Sequence, residues 1–124
     1  MRIFKNTWFN RFARRAQIDD KLLTEAIARV EKGLIDADLG GGVIKQRVAK
    51  PGMGKSGGYR TIILFKRGES CFFVYGFAKS ERDNIDKYEE EVFKKAAKEL
   101  FALSDAQLER LIGQKELIEV IDDK

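Results

Sequence analysis

Lys55, Arg60, Lys79 and Arg82 are the residues of this chain whose types and spacing could do chemistry, and that chemistry would be on a phosphate. A guanidinium stays charged and can bond a phosphate through two N–H groups at once. A lysine ammonium supplies a point charge, or a base where crowded cations lower its pKa. Residues 51–60 read PGMGKSGGYR, and Gly54-Lys55-Ser56 resembles the end of a nucleotide-binding loop. That loop needs a glycine five positions before Gly54 and a helix after the serine. Ala49 stands in the glycine's place, and Tyr59-Arg-Thr-Ile-Ile-Leu-Phe65, a β-branched and aromatic run, follows. A strand has no array of free N–H groups with which to cradle a triphosphate, so ATP binding is rejected.

Other chemistries are excluded by what the chain lacks. It has no histidine, the commonest general acid–base and the commonest metal ligand. With Cys71 as the single cysteine, a zinc site has no ligand set. A catalyst built from this sequence works without metal or cofactor, using Lys, Arg, Tyr and carboxylates. Cys71 lies in an apolar run and is expected to be a buried, inert thiol.

Charge is unevenly distributed. Residues 1–80 hold 16 Lys/Arg against 7 Asp/Glu, whereas residues 81–124 hold 8 against 13. Within 43–79, Lys45, Arg47, Lys50, Lys55, Arg60, Lys66, Arg67 and Lys79 face one acid, Glu69. Such a cluster is the electrostatic footprint of a protein that binds a nucleic-acid backbone; the competing reading is a solvated basic surface.

The elements that must position these residues follow from periodicity. The 124 residues suffice for a single domain spanning 1–124 with a modest core. Residues 2–5 read as a short strand. Thr7 could cap a helix carrying Trp8, Phe9, Phe12 and Ala16, and Asp19 or Asp20 a second carrying Leu22, Leu23, Ala26, Ile27 and Val30. Residues 36–42, rich in Asp and Gly, read as a turn. Three strands follow over 43–49, 59–66 and 71–78, the last two forming a hairpin across 66–69. From Glu81 the period becomes 3.6, with Ile85, Tyr88, Val92, Ala96, Leu100 and Leu103 on one stripe of a long helix. Glu81, Asp83 and Asp86 then read as first-turn residues, favoured by the helix dipole. Ser104-Asp-Ala-Gln107 is a capping box opening a helical extension over 104–124, in which Gly113 is an interruption. The sum is an α+β domain: an antiparallel sheet with two N-terminal helices and a C-terminal helical segment. Both hairpin strands are apolar on both faces, so the sheet needs two covers; the helices supply one, and the C-terminal tail or a partner the other.

In the hairpin, Arg60 at the start of one strand should lie near Lys79 at the end of its partner, with Tyr59 and Phe77 at the same end. Lys45 and Arg47 arrive from the neighbouring strand. Cations interleaved with rings can hold phosphates and stack unpaired bases.

Three stretches carry a family resemblance: Lys45-Gln-Arg47, the 51–60 loop, and Phe73-Val-Tyr-Gly-Phe-Ala-Lys79-Ser-Glu-Arg82. Together they resemble the RelE-type toxins of bacterial toxin–antitoxin modules, in the branch similar to HigB, over residues 1–103. The resemblance implies a small cytoplasmic endoribonuclease that cuts messenger RNA on the ribosome, the ribose 2′-OH attacking the adjacent phosphate and a 5′-OH fragment leaving. It implies Arg60 on the scissile phosphate, Lys55 or Lys79 as base with the other stabilising charge, and Arg82 protonating or supporting the leaving group. Lys45, Arg47 and Lys50 would touch RNA backbone, and Tyr59 or Phe77 a base. The partner implied is a cognate antitoxin, in this branch often a helix-turn-helix DNA-binding protein. The sequence also departs from the family: Ser80 stands where relatives carry Arg, and Asp83-Asn-Ile-Asp86 where many carry Tyr or His. The identity of base and acid therefore stays open. Two other readings are a same-fold toxin that blocks a protein such as DNA gyrase, and a non-catalytic RNA-binding module. A convergent set of Lys55, Arg60, Lys79 and Arg82 argues against the first of these.

Overall fold

The computed structural model of the chain describes residues 1–49, 52 and 57–121. Ten elements run in the order β1 (Arg2–Asn6), α1 (Thr7–Ala16), α2 (Asp20–Glu31), β2 (Ala37–Gly40), β3 (Val43–Val48), β4 (Tyr59–Lys66), β5 (Ser70–Ala78), α3 (Lys87–Phe101), α4 (Asp105–Gly113) and β6 (Leu117–Glu119). The sheet order is β2-β3-β4-β5-β1-β6. All pairings are antiparallel except β1 with β5. This is the α+β class the periodicities predict.

The helices begin where side-chain oxygens can take up free N–H groups. Asn6, one residue before the expected Thr7, caps α1 by accepting from Phe9 N at 2.7 Å. Asp19 caps α2 by accepting from Leu22 N at 3.0 Å. Asp86 and Ser104 each form a complete capping box, with Glu89 and Gln107.

Both covers of the sheet come from the chain itself. On one face α1 and α2 enclose Phe9, Leu23, Ile27, Ile44, Val48, Ile63 and Phe73. On the other, α3 and α4 close over Phe4, Val43, Ile62, Leu64, Phe72 and Phe77. Gly76 fixes how closely α1 approaches: a Cβ there would lie 2.5 Å from the Phe12 ring. Cys71 is fully buried, as expected, and burial holds its thiol well above the usual range.

Three elements differ from the sequence reading. Residues 37–40 form an edge strand paired with β3, because Gln46, 1 % exposed, bridges Leu34 O and Asp36 N and draws the segment alongside. The long helix starts at Lys87 rather than Glu81. Residues 79–86 form an irregular segment pinned to the sheet, and of the three acids read as first-turn residues Asp86 alone takes a helical position, as the cap. The described residues after α4 form no helix: Lys115 adopts φ 62°, and Leu117–Glu119 adds to the open edge of β1. That edge presents unpaired backbone groups, which a strand satisfies and a helix cannot.

Candidate functional site

The site forms where β3, β4 and β5 end beside the 79–86 segment. Register places Arg60 directly between Arg47 and Phe77. Two residues along, Ile62 lies between Lys45 and Tyr75. Side chains opposite one another across strands, and at alternate positions along them, share a face. Lys45, Arg47, Arg60, Tyr75 and Phe77 therefore stand together on the α3 face.

A β-bulge decides this. Tyr75 pairs with Ile62 while Phe73 pairs with Ile63, so Val74 is the extra residue. A bulge shifts the alternation by one. Phe73 packs against α1, and without the bulge Tyr75 and Phe77 would follow it to that side.

Arg82 is tightly held in the site. It donates to both Glu89 oxygens, to the Tyr75 hydroxyl at 2.9 Å and to Asn84 O at 2.8 Å. Its guanidinium lies 5.7 Å from the Tyr75 ring centre and 6.0 Å from that of Phe77. The Glu89 hydrogen bonds, then that to Tyr75, raise the Arg82 pKa further, and Arg82 in turn holds the Glu89 carboxyl below its usual range. A guanidinium so stabilised in its charged form is no proton donor. These hydrogen bonds hold Arg82 in the charged form, the form in which it would act as electrostatic support. Glu89 also accepts from Asp86 N at 2.9 Å, so one carboxylate fastens both Arg82 and the start of α3. Lys45 Nζ donates to Asn84 Oδ1 at 3.3 Å, tying the same segment to β3.

Glu89→Gln isolates the charge, because glutamine can still complete the capping box. A carboxyl with a depressed folded pKa contributes stability that is fully present above its unfolded value, here 4.5, and is lost as the pH falls below it. The urea midpoint of Glu89→Gln should therefore lie below wild type at pH 7, with the gap closing toward pH 3. A gap that persists at pH 3 would show that packing, not charge, holds Arg82.

The other expected residues are placed as follows. Arg60 is half-buried and, among the described residues, has no hydrogen-bonding or ion-pair partner. Lys79 is exposed immediately beyond Ala78, which pairs with Tyr59, and so stands at the rim of the site. Lys50 and Lys55 lie outside the described residues. Tyr59 is not in the cluster: it sits on the opposite face, edge-on to Phe12 at 5.6 Å, because adjacent strand residues point to opposite sides. Phe77 is 5 % exposed and packed in the α3 core, so its ring is a floor beneath the cations rather than an open platform for a base. Tyr75 and Asn84 were missed by sequence reasoning. The signal for Tyr75 was its position two before Phe77; Asn84 left none, since its role depends on how an irregular segment folds back.

Among the described residues no group of acids and Cys71 could hold a metal ion, and no helix is long and apolar enough to cross a membrane. The model of the RelE toxin of the RelE/RelB toxin–antitoxin system matches residues 1–120, whereas no curated protein matches the chain. That match takes in both flanks of the sheet, the arginine pair on β3 and β4, and the added strand β6. On this evidence the chain belongs to the RelE toxin family and is the toxin of a toxin–antitoxin system, with a cognate antitoxin as its partner.

Proposed function

We propose that this toxin inhibits translation by cutting messenger RNA on the ribosome, without a metal. The observation that carries the reading is Arg60, a guanidinium with no hydrogen-bonding or ion-pair partner among the described residues, set between Arg47 and Phe77 on a face otherwise crowded with cations. Partly buried positive charge with no carboxylate to neutralise it suits a phosphate whose negative charge grows in the transition state. In the reaction the ribose 2′-oxygen bonds to the adjacent phosphorus as its proton passes to a base. The bond to the 5′-oxygen breaks, and that oxygen takes up a proton.

Arg60 binds the equatorial oxygens of the phosphate. Lys79 or Lys55 takes the 2′-OH proton, and the other adds charge. Arg82 holds Tyr75 by donating to its oxygen, which leaves the phenol hydrogen free to serve the departing 5′-oxygen. Lys45, Arg47 and Lys50 contact the RNA backbone on either side.

Primer extension on a defined transcript, after controlled expression in a bacterium, tests this reading. The expected result is a set of cuts in register with the reading frame, which disappears when the start codon is removed. Cuts that survive loss of translation would remove the ribosome from the proposal. Growth arrest without cuts would replace RNA with a protein target.

A further inference from the structure

An open crevice of about 530 Å³ lies where α2 ends, β2 begins and β3 runs out, lined by Arg29, Leu34, Ile35, Asp36, Arg47 and Ala49 among others. Its walls are set by hydrogen bonds the chain makes with itself. α2 closes in a Schellman turn: Gly33, at φ 85°, donates to Val30 O at 2.9 Å, and Leu34 N donates to Arg29 O at 2.9 Å. Gln46, buried beneath, donates to Leu34 O and accepts from Asp36 N. The apolar residue after such a turn usually packs back on its helix. Leu34 instead stands 60 % exposed, at the crevice.

The crevice brings together two opposite charges that do not neutralise each other. Arg29 donates to Arg47 O at 2.7 Å, and Asp36 Oδ2 accepts from Arg47 N, so one residue's backbone anchors both. Neither side chain has an ion-pair partner among the described residues. A guanidinium carries five N–H donors and a carboxylate two acceptor oxygens. Beyond the bonds to Arg47, the Arg29 donors and Asp36 Oδ1 have no partner among the described residues. A fixed cation, a fixed anion and an apolar wall match a flat ligand with acceptors on one edge and donors on another.

We propose that this crevice binds a guanine base of the message, beside the phosphate held by Arg60. Guanine offers O6 and N7 as paired acceptors, which an arginine meets bidentately. Its N1–H and N2 amine are paired donors on the adjoining edge, which a carboxylate accepts. Adenine sets an amine where guanine has O6, and so opposes the guanidinium. A phosphate is disfavoured because Asp36 would repel it at close range. Leu34 and Ile35 supply apolar surface for the ring of an unstacked base. The placement fits as well. Arg47 is the register partner of Arg60, and paired strands lie about 4.8 Å apart, so a base flanking the scissile phosphate can reach the crevice. This inference deepens the cleavage reading above and rests on it for RNA as the ligand.

The test is an NMR titration of the full chain with GMP, IMP, AMP and inorganic phosphate, run alongside the primer-extension assay. IMP keeps O6 and N7 but lacks the N2 amine. GMP should shift the amides of Leu34, Asp36 and Ala49, and should bind about tenfold or more tightly than IMP or AMP. Asp36→Asn, which still offers an oxygen to Arg47 N, should bring GMP down to the level of IMP. Arg29→Gln should weaken GMP and IMP alike, by about tenfold. In the cleavage assay, guanine should recur at one fixed position beside the cuts, and Asp36→Asn should keep the cuts but lose that preference. Equal binding of GMP, IMP and AMP, or the same shifts with inorganic phosphate, would overturn the inference, and in-frame cuts would still uphold the cleavage reading. Selective GMP binding in a chain that makes no cuts would keep the base site and remove the cleavage reading.

Discussion

Replacing Arg60 with alanine should slow cleavage of a ribosome-bound message by about 100- to 1000-fold, the range seen when one preorganised donor to a transition-state charge is removed. That is about 2.7–4 kcal/mol of transition-state stabilisation. The size of the effect follows from where Arg60 sits. Arg47 and Phe77 are its register partners on the two neighbouring strands, on the same face as the α3 core, so the sheet sets where its charge can meet a phosphate. With no carboxylate partner among the described residues, its charge is available to the substrate. Arg60→Lys should recover part of the rate but not all, since an ammonium cannot make the paired bonds of a guanidinium. Single-turnover cleavage on programmed ribosomes separates chemistry from binding. Both variants should bind within a few-fold of wild type, because Arg60 is one cation among many on that face. If Arg60→Ala loses affinity but keeps its single-turnover rate, Arg60 is a binding residue and the transition-state role is wrong.

Removing the Phe72 ring should cost about 3–5 kcal/mol of stability, a large share of the roughly 5–15 kcal/mol available to a domain of this size. Phe72 is fully buried and stacks on Phe4, also fully buried, at 5.1 Å between ring centres. The pair spans the one parallel junction of the sheet, β1 with β5, where Phe4 and Phe72 are register partners. Truncation would leave a cavity that the flanking strands, paired on both sides, cannot close. Phe4→Ala should behave similarly, and the double variant should show a coupling of about 0.5–1.5 kcal/mol beyond additivity. Urea denaturation measures all three. A loss below about 1.5 kcal/mol for Phe72→Ala would mean that the site collapses, and that this junction is not the rigid support of β5 described here.

Much of this molecule was determined by its sequence alone. The 3.6-residue and 2-residue periods placed α1, α2, α4 and the three central strands, because an amphipathic element must turn its apolar side inward wherever it packs. The Asp19 and Ser104 caps were legible for a similar reason: a cap is a local hydrogen bond, complete within four residues. The cationic cluster, the absence of histidine and the buried Cys71 were also matters of composition. What the sequence could not supply were features that depend on a distant partner. Residues 117–119 have no strand signal of their own and become β6 because β1 leaves an open edge. Residues 37–40 become β2 because Gln46 reaches across to hold their approach. Above all, the Val74 bulge puts Tyr75 and Phe77 on the side of Arg60, while simple alternation leaves Tyr59 on the other. A one-residue shift in register reverses every side chain after it, and it is set by how β4 and β5 pair over their whole length. Tertiary structure thus decided which residues share a face with Arg60, and it freed Tyr59 for the α1 side of the molecule.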